Sequence, residues 1–198
     1  MIKLRKIEPS DLPFLYQWEN DATMWADSDT HNPLSRHDLH QYIENTTGDI
    51  YRDGQLRLII EDTLNSQLST LNSQLSYTSS ASDRSSESEI RTLNSQLSPS
   101  ILGCIDLFDF DARNRKAAIG MYIAPDARGK GVGKQAVQLL EDYAFGFLHL
   151  RMLYAIISVH NTPCSHIYEQ MGYTPSSVLK DWTLEGDAIL WQKCSVEE

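Results

Sequence analysis

The first sixty residues alternate between strand-like and helix-like spacing of apolar positions. Residues 3–7 and 55–61 alternate as strands, with Leu56, Leu58 and Ile60 on one face of the second. Pro9, Ser10 and Asp11 are typical of a helix start. The side chains that follow at helical spacing are Leu12, Leu15, Tyr16 and Trp18, and a second helix is predicted from residue 34 to about 45.

The pattern resumes at residue 101 and runs to the end of the chain. Strands are predicted at 101–110 and 116–123, and a polar turn joins them. Apolar positions from Val132 to Phe147 recur at helical spacing, and the run at 153–159 is typical of a buried strand. A helix over 162–171 should end at Gly172, and residues 173–194 hold two strand-like pieces. The order predicts one α/β domain over residues 1–198.

A low-complexity insertion at residues 62–100 interrupts that domain. The heptad Thr-Leu-Asn-Ser-Gln-Leu-Ser occurs at 63–69, 70–76 and 92–98, with a serine-rich stretch between the last two copies. Two leucines per heptad without flanking charges argue weakly for a coiled coil. The insertion buries little apolar surface and joins two strands, where extra residues are best tolerated. It is either a linker or a docking loop.

Composition narrows the classes of partner. The net charge is -10, which disfavours binding to nucleic acid and to anionic membranes and suits a cationic substrate or plain solubility. Three widely spaced cysteines, Cys104, Cys164 and Cys194, predict neither a disulfide framework nor a metal site. With no signal-like apolar run near residue 1, a cytoplasmic location is expected.

A glycine-rich turn at residues 128–133, Arg-Gly-Lys-Gly-Val-Gly, lies between a predicted strand and a long helix. Glycine lets backbone N–H groups approach a ligand, and the first N–H groups of a helix attract anions. Lys130, Lys134 and Arg128 add positive charge to an otherwise acidic chain. The turn predicts a phosphate site, or else a tight turn with solvated lysines.

Two other phosphate motifs were compared with this turn. A nucleoside-triphosphate loop requires Ser or Thr after Gly-Lys, but Gln135 follows Lys134, and Arg128 stands where the first glycine should be. Residues 131–136 fit the dinucleotide pattern GxGxxA. However, the next strand ends in Val-His-Asn at 159–161, without the acidic residue that holds a ribose.

The turn at 128–133 resembles the Q/R-x-x-G-x-G/A signature of the GNAT family of N-acetyltransferases. A second block resembles the family's N-x-x-(A/S)-x-x-x-Y-x-x-x-G-(F/Y) segment through Asn161, Ser165, Tyr168, Gly172 and Tyr173. The similarity covers residues 1–61 and 101–194 and is closest to the spermidine and ribosomal-protein branch. It implies a mixed, mostly antiparallel central sheet, flanked by about four helices, with a splay between its two central parallel strands.

The resemblance also implies acetyl-coenzyme A as co-substrate, and no metal. The pantetheine arm would pair with the strand end at Met121, Tyr122 and Ile123, as an added strand does. The pyrophosphate would lie on the turn formed by Arg128, Gly129, Lys130, Gly131, Val132, Gly133 and Lys134. Asn161 would bind pantetheine, although a helix N-cap before Thr162 and Pro163 explains it equally well.

Tyr168 is the predicted catalytic residue. With an ordinary pKa of about 10 it can donate a proton to a departing thiolate of pKa near 8.5. Without the motif, its helical spacing would indicate a core side chain of an amphipathic helix.

The general base is less defined. The family often places a glutamate on the strand before the turn, but residues 116–121 contain no acid. Asp106 and Asp109 on the preceding strand are the substitutes. Asp27 and Asp29, in the loop after the first helix, are candidates for binding a cationic substrate. Each of the four can equally be a solvated surface charge.

Three functions remain open at this point. The first is an N-acetyltransferase that moves acetyl to a small-molecule or peptide amine in a ternary complex. The second is a non-catalytic acyl-coenzyme A sensor, and the third is a nicotinamide-dinucleotide binder. Assembly into a homo-oligomer is compatible with all three.

Overall fold

We describe the protein from a computed structural model over residues 1–22, 32–63 and 100–195. The segments 23–31 and 64–99 lie outside the described residues, and so do the heptad repeats, Asp27 and Asp29. The strands are β1 Ile2–Lys6, β2 Leu56–Asp62, β3 Ile101–Asp111, β4 Lys116–Ile123, β5 Met152–Ser158, β6 Thr174–Thr183 and β7 Gly186–Cys194. The α-helices are α1 Leu12–Glu19, α2 Arg36–Asn45, α3 Ile50–Asp53, α4 Val132–Glu141 and α5 Thr162–Gln170.

The seven described strands form one sheet in the order β1-β2-β3-β4-β5-β7-β6. Every neighbouring pair is antiparallel except β4 and β5, which are parallel. The predicted fold class, a mixed and mostly antiparallel sheet flanked by helices, is therefore confirmed. Among the described helices, α1, α2, α4 and α5 are the predicted four, and the single-turn α3 was not predicted.

Two helices begin at residues whose side chains accept hydrogen bonds from the free N–H groups of the first helical turn. The Ser35 hydroxyl accepts a hydrogen bond from the Asp38 N–H at 3.1 Å, and Asp38 Oδ2 accepts one from the Ser35 N–H, which forms a capping box at the start of α2. Asp49 caps α3 by accepting a hydrogen bond from the Tyr51 N–H, and Gly54 ends that helix in the left-handed conformation with φ of 70°.

The predicted helix from Val132 to Phe147 is only partly right. The α-helical hydrogen bonding ends at Glu141, and residues Asp142–Phe147 form a π-helical turn. Apolar spacing does not separate these two states, because the π-turn still buries Ala144 while Phe147 is exposed.

Two apolar cores lie on opposite faces of the sheet. The larger core packs α4 and α5 against the strands, and its buried members include Ala136, Leu140, Leu153 and Tyr168. The smaller core packs α1 and α2 through Leu15, Trp18, Leu39, Ile43, Ile59 and Cys104. The sheet therefore separates the helix that carries Tyr168 from the helices that cover its other face.

Candidate active site

The parallel strands β4 and β5 separate soon after they meet. They pair only over three positions, Lys116 with Met152, Ala117 with Leu153 and Ala118 with Tyr154. Beyond Ala118, β4 continues beside β3 alone as far as Ile123, and β5 continues beside β7 to Ser158. The predicted splay between the central parallel strands is therefore present, and it leaves one backbone edge of residues 119–123 without a partner among the described strands.

A cleft of about 490 Å³ occupies this opening. One part is lined by the separating strands and by α5, and the other part lies over β2 and β3 beneath α1 and α2. The side chains and backbone that line it include Trp18, Glu19, Tyr42, Arg57, Cys104, Asp106, Gly120, Met121, Tyr122, Ile157, Ser158, Asn161, Cys164 and Tyr168. The cleft thus connects the two faces through the gap in the sheet.

The end of β4 forms one wall of the cleft. Met121 and Tyr122 line it, and Tyr122 packs its ring 5.1 Å from that of Trp18. Ile123 is not among the lining residues, but its carbonyl accepts a hydrogen bond from Arg128 Nε at 2.9 Å. Of the three predicted pantetheine positions, the first two face the cleft and the third anchors the turn.

The glycine turn has the backbone that its sequence predicts. Gly129 and Gly131 have φ of 72° and 75°, in the left-handed region that favours glycine. Gly131 is the N-cap of α4 and supplies no side-chain cap. The first N–H groups of an α-helix have no partner within the helix, so those of α4 point toward the open end of β4. Lys130 and Lys134 are exposed beside them.

Gly133 allows close packing behind this turn. A Cβ at this position would lie 3.0 Å from Ile167 Cδ1 and 3.2 Å from Met121 Cε. The glycine therefore lets α4 approach both α5 and the cleft-facing end of β4. Residues 128–134 do not themselves line the cleft but follow directly from the strand that does.

Helix α5 brings two predicted residues to the cleft. Asn161 lines it and is also the N-cap of α5, since its Oδ1 accepts a hydrogen bond from the Cys164 N–H at 3.2 Å. Both interpretations of Asn161 are thus compatible with its position. Tyr168 lies further along the helix and also lines the cleft, although only 2% of its surface is exposed.

The surroundings of Tyr168 keep its hydroxyl protonated. Burial raises the pKa of Tyr168 well above its ordinary value, and Cys164 and Glu141 act in the same direction. Its ring meets the ring of Tyr173 edge to face, with centroids 4.9 Å apart. Tyr168 is therefore a core side chain and a cleft residue at once, so the two sequence interpretations do not exclude each other.

An ion-pair cluster lies at the other end of the cleft. Arg57 donates from Nε to Asp106 Oδ1 at 3.0 Å, from Nη2 to Asp106 Oδ2 at 2.8 Å and from Nη1 to Glu19 Oε1 at 2.5 Å. Burial by itself lowers the pKa of Arg57, but the attraction of Asp106 and Glu19 raises it well above its ordinary value. One guanidinium between two carboxylates leaves a formal excess of one negative charge.

Sequence reasoning found only Asp106 of these three. Arg57 lies directly opposite Asp106 in the β2–β3 ladder. Opposite charges on two predicted strands could therefore have indicated that Arg57 pairs with Asp106. Glu19 ends α1 and carried no comparable signal, because its approach to Arg57 depends on how α1 packs across the sheet.

Asp109 is not brought to the cleft. It is exposed, has φ of 47°, and lies where the β3–β4 register shifts between Phe108 and Asp111. The Tyr154 hydroxyl donates a hydrogen bond to Asp109 Oδ2 at 3.4 Å. Asp109 is three residues from Asp106, so the alternation of side chains along a strand does not by itself bring the two to one face.

The described ranges contain neither a cluster of metal ligands nor a membrane-spanning helix. Within residues 1–22, 32–63 and 100–195, no group of three or more His, Cys, Asp or Glu side chains is arranged to hold a metal ion. In the same part of the chain, no helix is both long enough and apolar enough to span a membrane.

Comparisons with known proteins agree with this geometry. Residues 2–174 match the family model described as an acetyltransferase (GNAT) domain. The Escherichia coli K12 spermidine N(1)-acetyltransferase is 33% identical over 72 residues, which are 36% of this chain and 39% of that protein. An N-acetyltransferase 9-like protein of Nematostella vectensis is 33% identical over 94 residues, 45% of this chain and 48% of that protein. The aligned segments thus span less than half the length of these relatives.

Solved structures show the same fold over nearly the whole chain. The spermidine N-acetyltransferase of Vibrio cholerae, in complex with CoA and spermine, superposes with a TM-score of 0.72 at 18% identity and covers 98% of this chain and 95% of that chain. A dodecameric form of that enzyme superposes with a TM-score of 0.68 at 20% identity, covering 98% and 93%. With the family model matched over most of its length, this chain belongs to the GNAT acetyltransferase family.

Proposed function

We propose that this protein transfers the acetyl group of acetyl-coenzyme A directly to a primary amine. The observation that carries the proposal is the position of Tyr168, a buried and protonated hydroxyl group on the wall of a cleft that opens between two splayed strands. The cleft runs from this tyrosine to an acidic cluster, so a thioester and an amine can enter from opposite faces and meet in the gap.

The cofactor half of the proposal rests on β4 and α4. The backbone edge of residues 119–123 that β5 leaves can pair with the amides of a pantetheine arm, as an added strand would. The N-terminus of α4, with Gly129, Gly131 and the exposed Lys130 and Lys134, suits the pyrophosphate. Asn161 lies between these two regions on the cleft wall.

The acceptor half rests on charge. Glu19 and Asp106 flank Arg57 on the cleft wall, and their carboxylates are the groups that would attract a protonated amine. Trp18, Tyr42 and Tyr122 add aromatic faces that can contact the same cation. Because relatives are named spermidine N(1)-acetyltransferase, a polyamine is the first acceptor to test, followed by peptide N-termini and other small amines.

The proposed reaction passes through one tetrahedral species. The amine loses a proton, by way of water, toward the carboxylates of Glu19 and Asp106, and its nitrogen lone pair then attacks the thioester carbon. The C–N bond forms first and gives the tetrahedral species, which collapses as the C–S bond breaks. The sulfur takes the proton of the Tyr168 hydroxyl, the nitrogen of the new amide releases its second proton to water, and the tyrosine recovers a proton from solvent. Help of this kind typically accelerates the step by about 10²–10⁴-fold.

The test is a panel of amines with detection of the free coenzyme A thiol. We expect Tyr168→Phe to retain acetyl-coenzyme A binding and to lose at least tenfold in kcat, a threshold set below the about 10²–10⁴-fold that general-acid help typically gives. Tyr154→Phe is the matched control, because Tyr154 is a half-buried tyrosine of β5 outside the cleft, and it should keep full activity. Unchanged turnover in Tyr168→Phe would refute the role of Tyr168.

Further measurements separate the alternatives. Thermal stabilisation by acetyl-coenzyme A and not by NAD excludes the dinucleotide binder, since a ligand of the native state raises its stability. Binding without turnover of any amine would indicate the sensor. Cys164 also lines the cleft, so Cys164→Ala distinguishes direct transfer, which retains kcat, from an acyl-cysteine route, which does not. Light scattering would test assembly into a homo-oligomer.

A further inference from the structure

A buried carboxylate lies behind Tyr168, outside the cleft. Glu141, the last residue of α4, is only 3% exposed, and its Oε2 accepts a hydrogen bond from Lys193 Nζ of β7 at 2.7 Å. Such an ion pair gives little net stability, because removing the carboxylate from water offsets most of the attraction, and the Lys193 side chain is itself 27% exposed. The reaction proposed above does not use either residue, so their presence needs another explanation.

Lys193 also fixes the end of the helix that carries Tyr168. Its Nζ donates a second hydrogen bond to the Met171 carbonyl at 2.7 Å, just after α5. At this end Tyr173 N–H bonds the Tyr168 carbonyl at 3.0 Å, and Gly172 takes φ of 83° to turn the chain. The position of Lys193 therefore determines where the chain leaves α5 and where Tyr173 is placed.

Tyr173 connects this pair to Tyr168. Lys193 Nζ lies 5.7 Å from the centre of the Tyr173 ring, and that ring packs edge to face against Tyr168. The Tyr173 hydroxyl and Glu141 Oε1 are both buried without a well-formed hydrogen bond in the described part of the chain. Burial raises the pKa of Tyr173, and Glu141 raises it further, which marks the two side chains as neighbours.

We propose that Glu141 and Lys193 are positioning residues for Tyr168, which act through Met171 and Tyr173 to hold its hydroxyl at the cleft wall. The inference rests on the proposed function, since it names residues that hold the same proton donor in place. At its other end α5 is held by the Asn161 cap, so the helix is fixed on both sides of Tyr168.

A double-mutant cycle tests this inference. We expect Lys193→Met to lower kcat about tenfold, with KM for acetyl-coenzyme A changed less than threefold, because an imprecisely held donor loses part of its general-acid contribution. In the Tyr168→Phe background the same substitution should change kcat less than twofold, since no donor remains to position. Lys180→Met is the matched control: Lys180 forms an exposed ion pair with Asp187 at the far end of the same β6–β7 hairpin, and kcat should stay unchanged.

The outcomes separate this inference from the proposed function. Equal losses from Lys193→Met in both backgrounds would mean that Lys193 does not act through Tyr168, and the inference would be wrong while the function stands. An unaltered kcat in Tyr168→Phe would overturn both. Should Lys193→Met fail to fold, as judged by circular dichroism, Glu141→Gln keeps the shape of the side chain and enters the same cycle with the same expected pattern.

Discussion

Gly103 links the stability of the sheet to the geometry of the cleft. It lies in β3 opposite Ile123 of β4, with φ of 153°, beside a register shift in the β2–β3 ladder. A Cβ built there would lie 2.1 Å from the Tyr122 carbonyl oxygen. That atom belongs to the backbone, so it cannot rotate away as the end of a side chain would. Gly103→Ala therefore has to move the last residues of β4.

The cost of Gly103→Ala follows from this contact. Ordinary van der Waals contact begins near 3.4 Å, so strands β3 and β4 must separate by about 1 Å or the alanine must leave the backbone conformation of Gly103. A residue held in a sparsely populated conformation costs about 1–3 kcal/mol, and overpacking costs about as much. We expect a loss of about 2–5 kcal/mol in the free energy of unfolding, measured by urea denaturation monitored by circular dichroism.

Gly54→Ala is the control that separates overlap from backbone conformation. Gly54 has φ of 70° but nothing within 4 Å of a built Cβ, so it should lose only about 1 kcal/mol. Gly103→Ala should also raise KM for acetyl-coenzyme A, because the displaced strand end at Tyr122 forms the cleft wall. Equal stability losses in the two variants would show that the close approach of β3 and β4 is not as described.

Two further predictions concern the two ends of the cleft. The raised pKa of Tyr168 keeps its hydroxyl protonated as the pH rises. The profile of kcat against pH should therefore show no decrease caused by Tyr168 below about pH 10. A decrease near pH 8.5 that disappears in Tyr168→Phe would contradict this. Arg57→Met leaves the partly buried carboxylates of Glu19 and Asp106 facing each other, and the free energy of unfolding from urea denaturation should fall by about 2–4 kcal/mol. In the control Arg52→Met, which changes an exposed arginine, it should stay within about 0.5 kcal/mol. Similar losses in the two variants would refute a structural role for the cluster.

Local chemistry made part of the site predictable. Gly129 and Gly131 take positive φ, and Asn161 caps a helix, because single residue types strongly favour these conformations. The spacing of Tyr168 from Asn161 then fixes their relation along one helix, whatever the rest of the chain does. These features depend on a few neighbouring residues, so they could be inferred without knowing the fold.

Features that depend on long-range packing could not be inferred in this way. Arg57 joins α1 to β3 through Glu19 and Asp106, and nothing near Glu19 in the sequence indicates that contact. Asp109 was proposed beside Asp106 as a second acid on the same strand, but it is exposed at the register shift between Phe108 and Asp111 and lies outside the cleft. In both cases the deciding quantity is the register or packing of elements that are distant in sequence.

The gap in the sheet brings together Tyr168 and the ion-pair cluster of Glu19, Arg57 and Asp106, which line one cleft from elements on different faces of the sheet. Tyr168 packs in the core beneath α4 and α5, whereas Trp18 and Cys104 pack in the core beneath α1 and α2. A continuous sheet would keep these faces apart, since paired strands leave no passage between them. Once β4 and β5 separate after Ala118, the backbone groups along residues 119–123 need partners from water or from a ligand. The opening proposed to admit the two substrates is therefore also the place where a pantetheine arm would pair with β4 as a missing strand would.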